Sequence, residues 1–359
     1  MRALIALLPG DGIGPEVTAQ AARVLTAVGE LYGHSFAQRE APVGGIAIDQ
    51  TGDPLPAETV ALCQAADAVL LGAVGGPRWG PSSPVRPEQG LLGLRRALAV
   101  FANLRPAVPH PRVAAASPLK PAVLRGVDVL IVRELTGGIY FGEKRREADW
   151  AEDLCLYTEE EIARVVRVAA RLAQSRRGRL TSVDKANVLE TSRLWREVTT
   201  RVVREEFKGI ELEHQLVDSC ALRLVQQPAA FDVIVTENLF GDILTDLIAV
   251  LGGSIGMLPS ASLGEEGGPG LYEPVHGSAP DIAGRGLANP YGAIGSVALL
   301  LRHSLHLEVE AAAVEAAIAA ALESGALTSD VADRDDRACS TGEIGDAVVR
   351  ALSLHKETR

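Results

Sequence analysis

The residues that most directly suggest chemistry are two aspartates four positions apart, Asp242 and Asp246. An apolar segment typical of a buried strand precedes them at residues 231–235, and apolar residues at helical spacing follow them. The pattern predicts a turn at Gly241 and a helix beginning at Asp242, with both carboxylates on one helical face. Like charges at that spacing destabilise a helix unless a cation lies between them. The pair is therefore either a helix cap followed by a solvated charge, or part of a site for a hard divalent cation.

Three arginines are predicted on separate elements. Arg95 lies beside the apolar stripe of a predicted helix over 90–101, Arg105 follows that helix, and Arg133 follows a predicted strand over 127–132. A charge beside an apolar stripe needs an anionic partner, and arginines from separate elements can together bind a carboxylate through paired hydrogen bonds. The alternative is three unrelated surface arginines, which is the more common case for isolated ones.

Two other side chains have the chemistry of an acid and a base. Tyr140 lies in the glycine-containing run Thr136–Gly142, and Lys185 follows a predicted strand over 180–183. A phenol could donate a proton and a lysine at a strand end could accept one. Ordinary packing of the tyrosine and solvation of the lysine are the alternatives.

The elements that must position these residues alternate between strands and helices, which predicts an α/β protein. Residues 134–157 are predicted to form a hairpin arm that includes an exposed strand over 153–157, and Thr158 with Glu161 forms a capping box for the next helix. The glycines of Gly10–Gly14 lie between a predicted strand and helix but do not fit G-x-G-x-x-G, so a Rossmann fingerprint is not supported.

A second glycine-containing run, Tyr272–Gly284, could bind a nucleotide. The backbone amides of Gly277, Ser278 and Ala279 are expected at a helix start, where they could hold a phosphate. Asp281 could accept hydrogen bonds from ribose hydroxyls and would repel a 2′-phosphate, or it could be an ordinary first-turn acid.

Composition limits the class of protein. A chain of 359 residues exceeds one ordinary core and suggests about two domains. The net charge of −11, with no long basic run, argues against a nucleic-acid partner. No apolar run approaches the length of a membrane span, and the four cysteines form no C-x-x-C pair, so a cytoplasmic protein with reduced thiols is expected.

Taken together, the motifs resemble the isopropylmalate/isocitrate family of β-decarboxylating dehydrogenases. They occur in the order typical of that family over residues 8–290, whereas the last part of the chain carries no family signature. The matching stretches are Leu8–Val17, Arg86–Leu92, Phe101–Pro106, Arg133–Gly142, Val183–Glu190, Glu237–Asp246 and Glu273–Gly284.

The resemblance implies a two-domain α/β fold distinct from a Rossmann domain. One domain would combine residues 1–99 with 253–359, and the other would comprise 100–252, including the arm over 134–157. The active site would lie in the cleft between the domains. A homodimer would form through the second domain and its arm.

The resemblance also implies a role for each candidate residue. Arg95, Arg105 and Arg133 would bind the malate carboxylates, Tyr140 would be the acid, and Lys185 of the partner subunit would be the base. Mg²⁺ or Mn²⁺ would be held by Asp242 and Asp246 with Asp218 from the partner subunit, next to the substrate. For NAD, the implied contacts are Ile13 and Glu88 toward the nicotinamide, and His276, Asp281, Ile282 and Asn289 at the adenosine half.

Substrate choice would depend on the helix after Glu88, where Leu91 and Leu92 are apolar. Isocitrate-specific members of the family have polar residues there, so the apolar pair favours an isopropyl group and hence 3-isopropylmalate, with a role in leucine biosynthesis. A D-malate or tartrate dehydrogenase is the nearest alternative. A regulatory subunit on the same fold is the other, although such a subunit would be expected to lack part of the acid, base or metal set.

Overall fold

The computed structural model describes residues 1–80, 82–334 and 336–357. Strands and helices alternate through most of the chain, which confirms the α/β class. The strands are β1 Arg2–Gly10, β2 Ser35–Glu40, β3 Ala68–Ala73, β4 Ala102–Ala107, β5 Val129–Glu134, β6 Lys144–Arg146, β7 Ala151–Asp153, β8 Arg179–Asp184, β9 Glu211–Leu216, β10 Val233–Thr236, β11 Pro259–Leu263 and β12 Gly270–Pro274. The α-helices are α1 Gly14–Tyr32, α2 Gly45–Thr51, α3 Ala57–Ala65, α4 Pro87–Ala97, α5 Pro121–Leu124, α6 Glu159–Gln174, α7 Glu190–Glu206, α8 Val217–Gln226, α9 Asn238–Ala249, α10 Tyr291–His303, α11 Glu308–Glu323 and α12 Thr341–Glu357.

The chain divides into two compact units. Unit 1 contains Met1–Val100, His110–Ser117 and Gly252–Arg359, and unit 2 contains Phe101–Pro109 and Pro118–Leu251. These bounds differ from the predicted domains mainly at His110–Ser117, whose 3₁₀ helix belongs to unit 1. Arg112 of that helix pairs with Asp336 at 2.8 Å, a contact between residues too far apart in sequence for a local pattern to show.

Unit 1 is built on five strands in the order β2-β1-β3-β12-β11. The first four pair in parallel, and β11 runs antiparallel to β12. All six residues of β3 are buried, as expected for an apolar strand covered on both faces. Helix α10 is apolar around its circumference and is buried from Tyr291 to Leu301, so it forms much of the core of this unit.

Unit 2 is built on the order β4-β5-β10-β8-β9, in which only β4 runs antiparallel to its neighbour. Strands β5, β10 and β8 are parallel, and their carboxyl ends lead into Glu134, Glu237 and Lys185 respectively. Since the carboxyl ends of parallel strands meet at one edge of a sheet, this topology brings distant parts of the sequence together there.

Three predicted element boundaries are wrong. Helix α4 ends at Ala97 instead of residue 101, because Ala99 has a positive φ of 51° that a helix cannot accommodate. The exposed strand predicted over 153–157 is limited to its first residue, since β7 ends at Asp153 and Tyr157 is buried. Gly277–Ala279 lie in an irregular loop, so the helix start expected there is absent.

Within residues 1–80, 82–334 and 336–357, no helix is both long enough and apolar enough to cross a lipid bilayer.

Candidate functional site

Helix α9 begins earlier than the sequence predicts. Glu237 is the N-cap, and its carboxylate accepts a hydrogen bond from the backbone N–H of Phe240 at 2.8 Å. Gly241 is therefore inside the helix, and the prediction that Asp242 caps it is wrong. Gly241 is required for close packing: a Cβ there would lie 2.5 Å from Cγ of Arg133. The glycine lets the arginine side chain lie across the first turn of the helix.

Asp242 is held by two of the residues singled out in the sequence. Arg133, which is 3% exposed, donates from Nη1 to Oδ1 of Asp242, and the Tyr140 hydroxyl donates to Oδ2 at 2.6 Å. Desolvation and the hydrogen bond to Asp242 raise the pKa of Tyr140 to about 12. The phenol therefore keeps its proton throughout the neutral range, as an acid must.

Asp246 lies one turn further along α9 and is the more open carboxylate. Its side chain is 69% exposed, against 38% for Asp242, and its Oδ1 is 3.6 Å from Nη1 of Arg105. Arg105 is itself buried and donates to Oγ1 of Thr245 at 2.8 Å. Both aspartates thus lie on one helical face beside an arginine, in the arrangement that the i, i+4 spacing predicts.

Two asparagines also contact these arginines. Oδ1 of Asn238 accepts from Nε and Nη2 of Arg133 at 3.1 and 2.8 Å. Oδ1 of Asn103 accepts from Nε of Arg105 at 2.9 Å. Both asparagines are at most 1% exposed. Neither was predicted as a site residue, although two positional signals identify them: Asn103 is two residues from Arg105 on β4, and Asn238 is four residues from Asp242 on α9.

Behind this cluster lie two buried carboxylates and a buried phenol. Glu134 accepts from the backbone N–H groups of Thr136 and Gly137, each at 2.8 Å. The Tyr157 hydroxyl lies 3.4 Å from Glu134 and 3.2 Å from Glu237, and it accepts from the backbone N–H of Asn238 at 3.0 Å. Burial raises the pKa of both carboxyl groups and of the phenol. The network fixes the start of α9 relative to β5.

Lys185 and Asp218 form a pair of their own in unit 2. Nζ of Lys185 donates to Oδ1 of Asp218 at 2.6 Å, and this hydrogen bond lowers the pKa of the aspartate. The backbone N–H of Lys185 donates to Oγ of Ser192 at 3.0 Å, which anchors the loop after β8 to α7. The two side chains are 27% and 62% exposed, so both are accessible from solvent in this chain.

Arg95, the third predicted arginine, lies in unit 1. Its Nη2 donates to Oε1 of Glu273 at 2.9 Å, and both residues are 8% exposed. The buried Nε of Arg95 has no hydrogen-bond partner among the described residues. An unpaired buried donor costs free energy, about 1–3 kcal/mol, so an acceptor supplied by an anionic ligand would suit this position.

The same helix of unit 1 carries the residues predicted to contact the substrate side chain. Leu91 and Leu92 are both half-buried, and Leu91 packs against the apolar core of unit 1, which gives it a structural role as well. Glu88 is exposed in the first turn of α4. A Cβ on Gly75 would lie 3.4 Å from its Oε1, so this carboxylate borders the loop after β3.

The glycine-rich turn after β1 is organised by Asp11. Its carboxylate accepts from the backbone N–H groups of Gly45, Ile46 and Gly75, each at 2.8 Å, which ties three loops together. Gly12 has φ +59°, and a Cβ there would lie 1.9 Å from the carbonyl oxygen of Ser278. The turn is therefore a site of close backbone approach.

The loop containing Ser278 carries much of the predicted nucleotide set. The carbonyl oxygen of Ser278 accepts a hydrogen bond from the backbone N–H of the buried Ile13 at 2.8 Å, and Ala279 has a positive φ of 37°. Gly277 is exposed, and its carbonyl oxygen lies 2.9 Å from Nδ1 of His276. Burial lowers the pKa of His276, so the ring is neutral, with its proton on Nδ1. Nε2 is then a buried acceptor without a partner among the described residues.

Of the remaining members of the predicted nucleotide set, Asp281 and Ile282 lie within a turn region and Asn289 follows it. Asp281 is exposed and Ile282 is half-buried, whereas Asn289 is buried before α10. Asn289 accepts from the N–H of Tyr291 at 3.0 Å and donates from Nδ2 to Asp330 at 3.0 Å. The turn region is held by Glu16 of α1, whose carboxylate accepts from the N–H groups of Gly284 and Gly286.

The residues present suit the groups that the motifs imply. Asp242 and Asp246 offer solvent-accessible carboxylate oxygens on one face, the ligand type that Mg²⁺ and Mn²⁺ prefer. In unit 1, the partnerless Nε2 of His276 could accept from an amino group such as that of adenine, and exposed Asp281 could accept from ribose hydroxyls. Within the described part of the chain, no three His, Cys, Asp or Glu side chains are close enough together to hold a metal ion.

Comparison with known protein families and with known proteins identifies the same family. The family model described as isocitrate/isopropylmalate dehydrogenase matches residues 4–348. A 3-isopropylmalate dehydrogenase of Anaeromyxobacter dehalogenans is 56% identical over 359 residues, covering 98% of this chain and 100% of that protein.

Solved structures show the same fold. The chain is similar to an isocitrate dehydrogenase from Methylococcus capsulatus, with a TM-score of 0.85 and 34% identity over 97% of this chain and 99% of that one. It is also similar to the apo form of a β-decarboxylating dehydrogenase from Thermococcus kodakarensis, with a TM-score of 0.80 and 37% identity over 98% and 96% of the two chains.

Proposed function

The chain belongs to the isocitrate/isopropylmalate dehydrogenase family, and from that premise we propose that it is an NAD-dependent dehydrogenase of leucine biosynthesis. Its reaction would be the oxidative decarboxylation of (2R,3S)-3-isopropylmalate to 2-oxo-4-methylpentanoate and CO₂. The observation that carries the proposal is the cluster in unit 2, where two buried arginines, two carboxylates and a protonated phenol lie within hydrogen-bonding or ion-pair distance. In such a cluster the arginines can bind the carboxylates of a malate-type substrate and the phenol can donate a proton.

The arginines account for binding and orientation. Arg105 and Arg133 present guanidinium groups that can bind carboxylates, and Arg95 in unit 1 has a buried Nε that an anionic acceptor would satisfy. Leu91 and Leu92 offer apolar surface for an isopropyl branch. Burying that branch would favour it over a bare substituent by about 2 kcal/mol.

Proton transfer would be divided between Lys185 and Tyr140. Lys185 would accept the hydroxyl proton during oxidation. Tyr140, whose raised pKa keeps it protonated, would donate a proton to carbon after CO₂ leaves. A divalent cation bound by Asp242 and Asp246 would supply Lewis acidity, and NAD⁺ would accept the hydride.

We further propose that the active protein is a homodimer in which Lys185 and Asp218 of each subunit serve the partner's site. Lys185 and Asp218 are hydrogen-bonded to each other within one chain. This supports the proposal, because the base and the third carboxylate would then enter the partner's site together. Asp218 would then join Asp242 and Asp246 at Mg²⁺ or Mn²⁺.

An activity panel tests the substrate and the cofactor. The purified protein is assayed with Mn²⁺ against 3-isopropylmalate, D-malate, tartrate and isocitrate, each with NAD⁺ and NADP⁺. We expect the highest kcat/KM for 3-isopropylmalate with NAD⁺. A higher kcat/KM for D-malate with NAD⁺ would replace the proposal by the malate alternative.

Subunit complementation tests the shared site. Lys185→Ala and Tyr140→Phe are each expected to keep at most about 1% of wild-type activity, whereas hybrid dimers would contain one site with both functional residues. After unfolding and refolding together, an equal mixture should recover roughly a quarter of wild-type activity, since half of the dimers are hybrids with one intact site. No recovery from hybrids shown to form by sedimentation or native mass spectrometry would mean that both residues act within one chain.

A further inference from the structure

The two arginines of unit 2 share a feature that the proposed mechanism does not explain: each is held by a neutral amide. Arg133 directs Nε and Nη2 at the single oxygen Oδ1 of Asn238, at 3.1 and 2.8 Å. Arg105 directs Nε at Oδ1 of Asn103, at 2.9 Å. All four residues are buried. Each guanidinium is therefore held in part by an acceptor without charge, in addition to its contact with Asp242 or Asp246.

The amide of Asn238 is itself fixed in one orientation. Its Nδ2 donates to the carbonyl oxygen of Gly137 at 3.3 Å, so the amide oxygen faces Arg133. Its backbone N–H donates to the Tyr157 hydroxyl, which places the residue at the first position of α9. Backbone and side chain are thus both anchored, and the acceptor cannot rotate away from the arginine without breaking these hydrogen bonds.

An amide and a carboxylate differ in how much positive charge they leave on the arginine to attract a ligand. Arg95 in unit 1 pairs with the buried carboxylate of Glu273, which offsets its charge. An amide makes the same kind of hydrogen bond without offsetting the charge, so a buried guanidinium held by an amide attracts an anion more strongly. Asp242 and Asp246 do neutralise Arg133 and Arg105 in part, but they are the proposed cation ligands. The asparagines hold the arginines independently of that cation.

We propose that Asn238 and Asn103 are positioning residues that orient Arg133 and Arg105 toward the substrate carboxylates while leaving their positive charges available. The inference rests on the proposed function, because it assigns how that site recognises a malate-type anion. It predicts that the absence of charge on these two side chains matters as much as their hydrogen bonds.

Replacing the amide of Asn238 by a carboxylate tests whether the absence of charge at this position matters for substrate binding. Asn238→Asp keeps an oxygen facing Arg133 and places an acid in the first turn of α9, which the helix dipole favours, but it replaces the Nδ2 donor to the Gly137 carbonyl oxygen with a second oxygen. We expect its melting temperature to fall by about 2–8 °C, because the Gly137 carbonyl loses its donor at a cost of about 1–3 kcal/mol. We expect KM for 3-isopropylmalate, and its Kd by calorimetry with Mn²⁺, to rise by about tenfold or more, because a hydrogen bond to a charged group contributes roughly 1.5–3 kcal/mol. KM for NAD⁺ should stay within about twofold, the scatter of near-neutral substitutions.

Asn238→Ala and Asn103→Asp complete the test. The alanine variant removes the acceptor and should weaken substrate binding by a similar factor, and Asn103→Asp should do so through Arg105. Gln38→Glu is the matched control, since it makes the same amide-to-acid change at a side chain on β2 that bonds to Ala22 of α1. Its substrate KM and Kd should equal those of wild type.

The outcomes are distinguishable. Unchanged substrate Kd in Asn238→Asp, or loss of stability with both KM values unchanged in Asn238→Ala, would overturn the positioning role and leave the proposed reaction intact. A wild-type protein that binds and oxidises none of the malates would instead overturn the proposed function.

Discussion

The two units carry the candidate residues in different ways. In unit 1, the predicted nucleotide region is built mainly from backbone: Asp11 and Glu16 accept from backbone amides, and the turn at Gly12 approaches Ser278 closely. In unit 2, the candidate site is built from side chains. Arg133, for example, contacts Asn238 and Asp242 through its guanidinium.

This difference decides which substitutions each region tolerates. A site in which backbone segments approach each other closely needs glycines, which have no side chain, at the points of contact. Added side-chain volume should therefore damage it most. A site made of buried charges and amides depends on hydrogen-bonding groups and charge, so substitutions of similar size but different chemistry should damage it most. Changes to the side-chain cluster of unit 2 should therefore affect substrate and metal, and changes to the glycine-rich turn and loops of unit 1 should affect NAD.

The largest effect is expected from removing the acid or the base of unit 2. Tyr140→Phe and Lys185→Ala should each lower kcat by roughly 10²–10⁴-fold, the usual contribution of general acid–base catalysis. The raised pKa of Tyr140, about 12, means that the group stays protonated across the assay range. The residual activity of Tyr140→Phe between about pH 6 and 10, expressed relative to its own maximum, should follow the wild-type profile. Loss of an alkaline limb in this variant would assign that limb to Tyr140 and contradict the elevated pKa.

A smaller effect is expected from weakening the proposed cation site. Asp246→Asn keeps the shape of an exposed side chain but removes a charged oxygen ligand. The apparent affinity for Mn²⁺ should fall by about 10–100-fold or more, since loss of even an outer-shell partner costs that much. Titration of Mn²⁺ by calorimetry, with Glu266→Gln as an exposed acid-to-amide control outside the candidate site, measures this directly. Equal affinity in wild type and Asp246→Asn would remove this residue from the metal set.

In unit 1, we expect a substitution that adds volume to raise KM for NAD⁺ by about tenfold. Gly12→Ala adds one methyl group, but it does so at φ +59° and 1.9 Å from a carbonyl oxygen, so the loop must move. Strain of this type costs about 1–3 kcal/mol. KM for NAD⁺ should rise by about tenfold while the Kd of 3-isopropylmalate with Mn²⁺ is retained. Gly33→Ala, also at positive φ but with no atom within 4 Å, is the control for backbone strain alone. A substrate Kd that shifts as much as KM for NAD⁺ would contradict an effect of this turn that is specific to NAD.

The smallest effect tests stability without chemistry. Thr158 caps α6, accepting from the N–H of Glu161 at 3.3 Å while the Glu161 carboxylate accepts from the N–H of Thr158 at 2.8 Å. Thr158→Ala should lower the free energy of unfolding by about 1 kcal/mol. Denaturant unfolding measures that change, and both KM values should stay as in wild type. An altered KM for either ligand would show that α6 is coupled to the site.

Much of the fold could be predicted from the sequence because its signals are local. The α/β class follows from alternating periodicities, and the capping box at Thr158 is present as predicted. The start of α9 could not be predicted in the same way. The turn propensity of glycine indicated a break at Gly241, whereas the structure uses this glycine to accommodate Arg133 from another strand. A packing requirement between residues so far apart in the chain leaves no trace in a local window.

The candidate site, like the fold, could be predicted from the sequence only in part. The spacing of Asp242 and Asp246 indicated a shared helical face, and the structure has both on α9. Asn103 and Asn238 show what was missed, because nothing in their polarity set them apart until the arginines beside them were located. Their spacing from Arg105 and Asp242 was available in the sequence, but the direction of each guanidinium depends on side-chain contacts that only a three-dimensional structure provides.

The pairing of β3 with β12 has a consequence for how the protein is made. Strand β3 is entirely apolar and buried, and its neighbour β12 begins at Gly270, which the ribosome adds about 200 residues after β3. At a synthesis rate of about 5–20 residues per second, this edge of β3 remains unpaired for roughly 10–40 s before β12 is synthesised. All of unit 2 is synthesised in that interval and can fold first. An unpaired apolar edge favours aggregation, so the nascent chain should depend on chaperones until β12 emerges.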